Sequence, residues 1–466
     1  MKAPVLRLVG SLVSAALLAF GLPVADNVAH AASTVEIAAS AFGITSYDVQ
    51  EITGTGDITT ELSWALSTGG DASRVKIVHI PAGSYTVNAA VRFQASHLYL
   101  VAEPSTMVTL TRTDSRLLIL PVSAVGVYGG AWNAARHTTN ATIQVNGASA
   151  SLMALRAINS AHHGISAYAH SVLRIRGVTV TGSVVDGVHL ESSSLGADKL
   201  TSTRNLRNGV QLSTSSRGTI TNSVLDANGL AVSGTTTGKT GHGLGLAGSV
   251  ASVVNTSMSA NKVCGMSLVK GSVVTVTGGT LNRNGRHGLG TVAGVRATFI
   301  GTTVYRNGYN GLLATGRGTR VSVDRAVVAG SRQRGLSVMD HARASAVRSL
   351  IRSSGSNNIS IGTRSTVTLG VGNVLRDAPR ANGVVVTGKS KLIIRGSGNV
   401  ISGNRQNGVY VAGSTVRISA RVAFRSNRGN GILAASRASV VMVKCRFSGN
   451  GHKVRATSGA RVKTVR

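Results

Sequence analysis

Cysteine, proline, aromatic rings and acid are all scarce in this chain of 466 residues. Two cysteines cannot staple a disulfide scaffold. Six prolines against 57 glycines, with no strict Gly-X-Y period, exclude a collagen-like chain. Aromatics make up 3% of the sequence, which leaves little to stack on bases, and no zinc-finger or RNP-type signature is present. After residue 22 no apolar run is long enough to span a bilayer. Hydrophobic residues nevertheless reach 42%, so the chain can bury a core and the shortage of acid does not signal disorder.

What acid there is lies in one half. Residues 1–226 hold 15 Lys+Arg and 13 Asp+Glu, whereas residues 227–466 hold 34 and 3, the three being Asp324, Asp340 and Asp377. Almost the whole formal charge of +33 therefore belongs to the second half, and a field of that kind calls for a polyanionic partner. The amino terminus narrows the choice. Lys2 and Arg7, an apolar stretch from Leu8 to Leu22, Pro23 and the small-residue site Ala29-His30-Ala31 form the three parts of a secretory signal peptide. Residues 1–31 are thus expected to be a leader, and the mature protein to be secreted or held at the cell surface with no transmembrane segment. There the expected partner is an acidic polysaccharide or another cell-envelope polyanion, and nucleic acid is disfavoured.

From about residue 160 one phrase recurs: a polar residue, then Gly, then alternating aliphatics. Its glycines are Gly164, Gly187, Gly209, Gly243, Gly265, Gly288, Gly311, Gly335, Gly383, Gly408 and Gly431, with Asn358 in the equivalent place. Steps are 22 to 25 residues apart from one of 34, a spacing that marks a solenoid. Short Val/Ile/Leu/Thr runs separated by Asn-Gly or Ser-Gly turns predict strands, and the lack of a 3.6-residue period disfavours helical repeats. Four residues before the marker stand Asn205, Asn261, Asn284, Asn307, Asn404 and Asn427, with Asn450 at the same offset from Val454. Stacked about 4.8 Å apart they predict a structural asparagine ladder. Cys264 and Cys445 fall about seven coils apart, too far for a disulfide.

These repeats resemble the right-handed parallel β-helices of the pectin-lyase-like superfamily. Leu62-Ser63-Trp64-Ala65-Leu66 is similar to that family's capping helix, Val78-His79-Ile80-Pro81-Ala82-Gly83-Ser84-Tyr85 to its first turn, and Gly129-Gly130-Ala131-Trp132-Asn133 to a phrase of its early coils. The resemblance implies an all-β solenoid of roughly a dozen coils: residues 32–157 an N-terminal cap with irregular first coils, residues 158–466 the regular repeats. It specifies fold far better than activity.

Alternation predicts that the residue after each marker points inward and the next outward. The inward column, from Ile165 and Val188 to Ile432, is uniformly aliphatic. Outward positions carry Ser166 and Tyr168, His189 and Glu191, Gln211 and Ser213 in the first three coils, then mostly small or apolar residues. Around them fall His162, His163, His170, Asp186 and Arg207. The long step beside them, from Asn228 to Gly243, predicts a loop that would bring Lys239 and His242 to the same face.

Three similarities bear on chemistry. Gly241-His242-Gly243 is similar to the GHG element of polygalacturonases, but the paired aspartates that a hydrolase needs are missing. The repeats resemble those of mannuronan C5-epimerases: Asp186-Gly187-Val188 matches the phrase bearing that family's catalytic aspartate, and Arg207 the arginine of its next-coil phrase. Asn208 stands where that phrase has His. Pectate and alginate lyases of this fold use acidic calcium clusters, for which Asp186, Glu191 and Asp198 are too few and too scattered. No metal or cofactor is expected. The leading expectation is an epimerase or lyase that abstracts the C5 proton of a uronate polymer. Asp186, His189, Tyr168 and Arg207 would be catalytic, with His163, Glu191, Gln211, Lys239 and His242 binding substrate. The rival expectation is a non-catalytic envelope protein that holds polyanions on its basic half.

Overall fold

From Gly164 to Gly431 the marker glycines pack tightly against the next coil. In the computed structural model, which describes residues 33–230 and 241–465, Ile165 pairs with Val188, Val188 with Val210 and Val210 with Leu244, always in parallel. A Cβ added at Gly288 would lie 2.6 Å from the carbonyl oxygen of Gly311, and one at Gly265 2.9 Å from that of Gly288. Glycine recurs there because a Cβ crowds the next rung's carbonyl oxygen, and Asn358 takes its place in one regular coil.

The coils build three faces. An 18-stranded sheet runs from Tyr47–Glu51 to Arg461–Val465, and a 16-stranded sheet from Ala90–Phe93 to His452–Ala456. The third face is divided into sheets of seven and eight strands, joined only through the isolated bridges Thr201–Val224, Val224–Ser257 and Ser257–Thr280. The division falls at the coils flanking the long step. All three faces turn aliphatic side chains inward: Ile165, Val188, Val210, Leu244, Met266, Leu289 and their successors to Ile432 are 0% exposed. The architecture is an all-β, right-handed parallel β-solenoid of about seventeen turns. The excess over the expected dozen comes from residues 47–157, whose strands join the same sheets. In those coils Ala90, Arg116 and Thr142 precede the inward residues Val91, Leu117 and Ile143, so the glycine phrase that marks later coils is absent.

Helix α1 (Thr34–Phe42) begins at a capping box between Ser33 and Glu36 and ends at Gly43 in the left-handed region. It lays Ala38 and Ala39 on Ile77 and Val101, on the outer side of the 18-stranded sheet. Helix α2 (Thr59–Ala65) takes in most of the stretch that resembles a capping helix, and sends Leu62 and Ala65 into the main core. The leader expected at residues 1–31 and the loop residue Lys239 lie outside the described residues.

The asparagine ladder is continuous from Asn205 through Asn228, Asn261 and Asn284 to Asn307, each Nδ2 donating to the next Oδ1 at 3.0–3.1 Å. It resumes from Asn404 through Asn427 to Asn450 at 2.8 Å. In between, Asn358 serves from the marker position, accepting from the Ser354 N–H and donating to Asn404. Both thiols are free; burial pushes Cys264 and Cys445 up to about 11.

Candidate active site

A second amide ladder runs through the residue just before the marker in the coils from Asn357 to Asn430. Asn382 donates to Asn357, Asn407 to Asn382 and Asn430 to Asn407, with Nδ2–Oδ1 distances of 3.3, 2.9 and 2.7 Å. In the early coils the same column reads His163, Asp186, Asn208 and His242. Two imidazoles and a carboxylate stand at three of those four positions.

Asp186 is completely buried and fully engaged. Its Oδ2 accepts from His189 Nδ1 at 3.1 Å, its Oδ1 accepts from the Asn208 N–H at 3.1 Å, and its own N–H donates to His163 Nδ1 at 3.3 Å. These bonds assign the tautomers. His163 is an acceptor at Nδ1 and carries its proton on Nε2. His189 carries its proton on Nδ1, which leaves Nε2 as the basic nitrogen. The two rings stack with centroids 4.3 Å apart, and His162 stands edge-on to His163 at 4.0 Å. Burial works against ionising Asp186, yet the His189 hydrogen bond, with the charges of His163, Arg207 and His189, outweighs it and holds the carboxyl below its ordinary value. Burial pushes His163 down to about 3 and His242 down to about 4, so both are neutral at pH 7.

One later rung shows which part of this is special. His287 Nδ1 accepts the N–H of Asn310 at 3.4 Å, as His163 accepts that of Asp186. An imidazole taking the next rung's N–H is therefore a device of the fold. The pairing of a buried carboxylate with His189 at the groove surface is what sets the early coils apart.

The groove, of about 360 Å³, is lined by Asp186, His189, Arg207, Asn208, Gln211 and His242 and continues over Gly245 and Ser267. Gln211 Oε1 accepts from Asn208 Nδ2 at 3.0 Å. A Cβ at Gly245 would lie 2.1 Å from that oxygen, so the glycine leaves the Gln211 side chain its place. His242 donates its N–H to Asn208 Oδ1 at 3.2 Å, and its buried Nδ1 has no hydrogen-bond partner among the described residues. Tyr168 flanks the groove from the preceding coil, with its ring centroid 6.0 Å from that of His189, and burial raises its phenol. Glu191 is exposed at the far end of the His189 strand, away from the groove lining. His163 lies beneath His189 at 4% exposure and does not reach the surface.

His163, Asp186 and His189 offer three ligand atoms within 4.8 Å of one another. Both Nδ1 atoms are already engaged, however, and the single carboxylate is far from the six or more oxygens that calcium takes. The set fits a closed hydrogen-bond network better than a metal centre. Asn208, which orients Asp186, Gln211 and His242, is absent from the residues chosen on sequence. Its signal was the column before the marker, where amides alternate with imidazoles and a carboxylate.

The family model described as "Right handed beta helix region" matches residues 163–328 and 382–465. No curated protein matches the chain. Among solved structures, a pectate lyase shares 12% identity over 57% of this chain and 78% of its own, with a TM-score of 0.44. The A-module of a mannuronan C-5 epimerase from Azotobacter vinelandii shares 13% over 88% and 94%, with a TM-score of 0.29. A surface adhesin of Streptococcus pneumoniae shares 10% over 87% and 91%, with a TM-score of 0.27. Likenesses this remote assign no activity.

Proposed function

The chain belongs to the right-handed β-helix family, and on that scaffold we propose that it acts outside the cytoplasm on an acidic polysaccharide, removing the C5 proton of a uronate residue as an epimerase or a lyase. The observation that carries this reading is the Asp186–His189 pair at the floor of a groove that also presents Arg207. Arg207 would bind the uronate carboxylate and stabilise the negative charge that grows on it as the C5–H bond breaks. His189 Nε2 would take the proton, and Asp186, fixed by the Asn208 N–H, would stabilise the imidazolium so formed. His163 supports that ring from below. Return of a proton to the opposite face of C5 gives the epimer, whereas expulsion of the C4 oxygen leaves a C4–C5 double bond. Tyr168, protonated at neutral pH, is the proton donor of the proposal for either outcome. Gln211 and His242 would position the sugar, while Glu191 lies away from the groove lining. Lys239 enters only through its place in the sequence, three residues before His242.

Asp186 is the sole carboxyl lining the groove among the described residues, so the pair of carboxyl groups that glycoside hydrolysis needs is missing. Incubation with alginate, polygalacturonate and glycosaminoglycans in deuterated water tests the proposal. Deuterium at C5 without ultraviolet absorbance indicates an epimerase, and absorbance of an unsaturated product a lyase. Salt-sensitive binding with neither signal would replace the enzyme reading by that of a non-catalytic polyanion binder.

A further inference from the structure

At the corner where the 16-stranded sheet turns into the 18-stranded one, successive coils place cation beside cation. Arg296, Arg320 and Arg343 are direct register partners, so their exposed side chains leave the sheet about 4.8 Å apart. The turns add Arg317 and Arg364, which line a concavity of about 360 Å³ together with Arg320, His341 and Arg343. None of Arg317, Arg320, Arg343 and Arg364 forms an ion pair among the described residues. The acids of this region are engaged elsewhere. Asp324 binds Arg325 and Arg348, Asp377 binds Arg376, and Asp340 accepts from Thr315 Oγ1. Like charges in adjacent rungs repel. That repulsion does not serve the fold.

We propose that this corner is a second binding site, separate from the groove, that grips the carboxylates of a uronate polysaccharide running along the helix axis. Guanidinium forks match planar carboxylates in two-point contacts, and a row of them at coil spacing suits a polymer with regularly repeated charge. The concavity begins five coils beyond His189, roughly 24 Å along the axis, at the start of strands of the 18-stranded sheet, whereas His189 lies on the 16-stranded one. A long chain could therefore occupy both while a short oligosaccharide could not. The choice of uronate rests on the function proposed above, whereas the cationic corner itself does not.

Binding to immobilised alginate and polygalacturonate, followed over a sodium chloride series, tests it. The variant Arg320→Ala/Arg343→Ala should bind at least tenfold more weakly, and the slope of log affinity against log salt should fall by about 2. Its thermal midpoint should stay at or rise slightly above the wild-type value, since neither side chain has an ion-pair partner to lose and the repulsion between rungs is relieved. The pair Arg320→Lys/Arg343→Lys should retain the slope and lose part of the affinity. Unchanged affinity and slope in the alanine variant would overturn the proposal, as would retention on polyphosphate with none on either uronate. The two readings fail separately. Weak binding by the alanine variant with no C5 exchange by the wild type keeps the corner and removes the enzyme. Exchange that depends on Asp186, with binding indifferent to the arginines, does the reverse.

Discussion

Replacing Asp186 by Asn changes one atom and should disable the groove by reversing a tautomer. The Asn208 N–H points at Oδ1 of residue 186 and holds an acceptor there. An asparagine must therefore keep its carbonyl oxygen on that side and turn its NH2 toward His189 Nδ1, 3.1 Å from the present Oδ2. A nitrogen facing a donor has to accept, so the His189 proton would move to Nε2 and the base would be lost. Where a carboxylate orients a catalytic imidazole in this way, the same change typically lowers kcat by about 10⁴. KM should change little, because Arg207 and Gln211 are untouched. Stability should survive as well, since a buried charge becomes a neutral amide of the same shape. Two measurements check this. C5 deuteration should fall by the stated factor, and the imidazole ¹⁵N shifts should move from Nδ1-protonated to Nε2-protonated at His189. An active variant within tenfold of wild type, or His189 still protonated at Nδ1, would refute the reasoning; the second readout needs no substrate.

Acid should loosen the fold well before carboxylates titrate. Burial holds His163 near 3 and His242 and His287 near 4 in the folded state, against 6.5 when free. The unfolded chain thus binds the extra protons as pH falls below 6.5, and each imidazole should subtract about 2 kcal/mol of stability between pH 6.5 and pH 5. Urea titrations should show full stability above pH 6.5 and a steady decline toward pH 4; a flat profile would contradict the burial. In the ladder, Asn261→Ala removes the acceptor of the Asn228 N–H and the donor to Leu225 O and Asn284. A loss of about 2–4 kcal/mol is expected, with faster amide exchange confined to neighbouring coils, and equal acceleration throughout the chain would argue against rung-by-rung stability.

The regular coils were legible in the sequence because one physical constraint, the crowding of a Cβ against the next rung, favours glycine at the markers, with Asn358 the exception. From that fixed point strand alternation leads to Ile165, Val188 and the rest of the core. Where the constraint is met otherwise, as at Ala90, Arg116 and Thr142, the phrase vanishes and coils go uncounted. Asn228 illustrates a different loss: the long step separates it from its marker, so only the spatial stack restores it to the ladder. The site was half legible. His189, Gln211 and Asp186 follow from face and position, but the burial of His163 follows from parity that the outward columns conceal. The residue before the marker lies two positions from the inward one and shares its direction. The clustering of Arg320 with Arg343 was invisible as geometry because their separation of 23 residues becomes adjacency only once the coil length is known.

The column before the markers is an amide spine from Asn357 to Asn430 and carries His163, Asp186, Asn208 and His242 in the early coils. Distances along such a column are quantised. Two groups on it are separated by whole coils of about 4.8 Å, and loops can lengthen, as between Asn228 and Gly243, without altering that step. Adjusting the span between His189 and a distant anion-binding rung would therefore proceed by gain or loss of entire turns. Reach in this protein is counted rather than tuned.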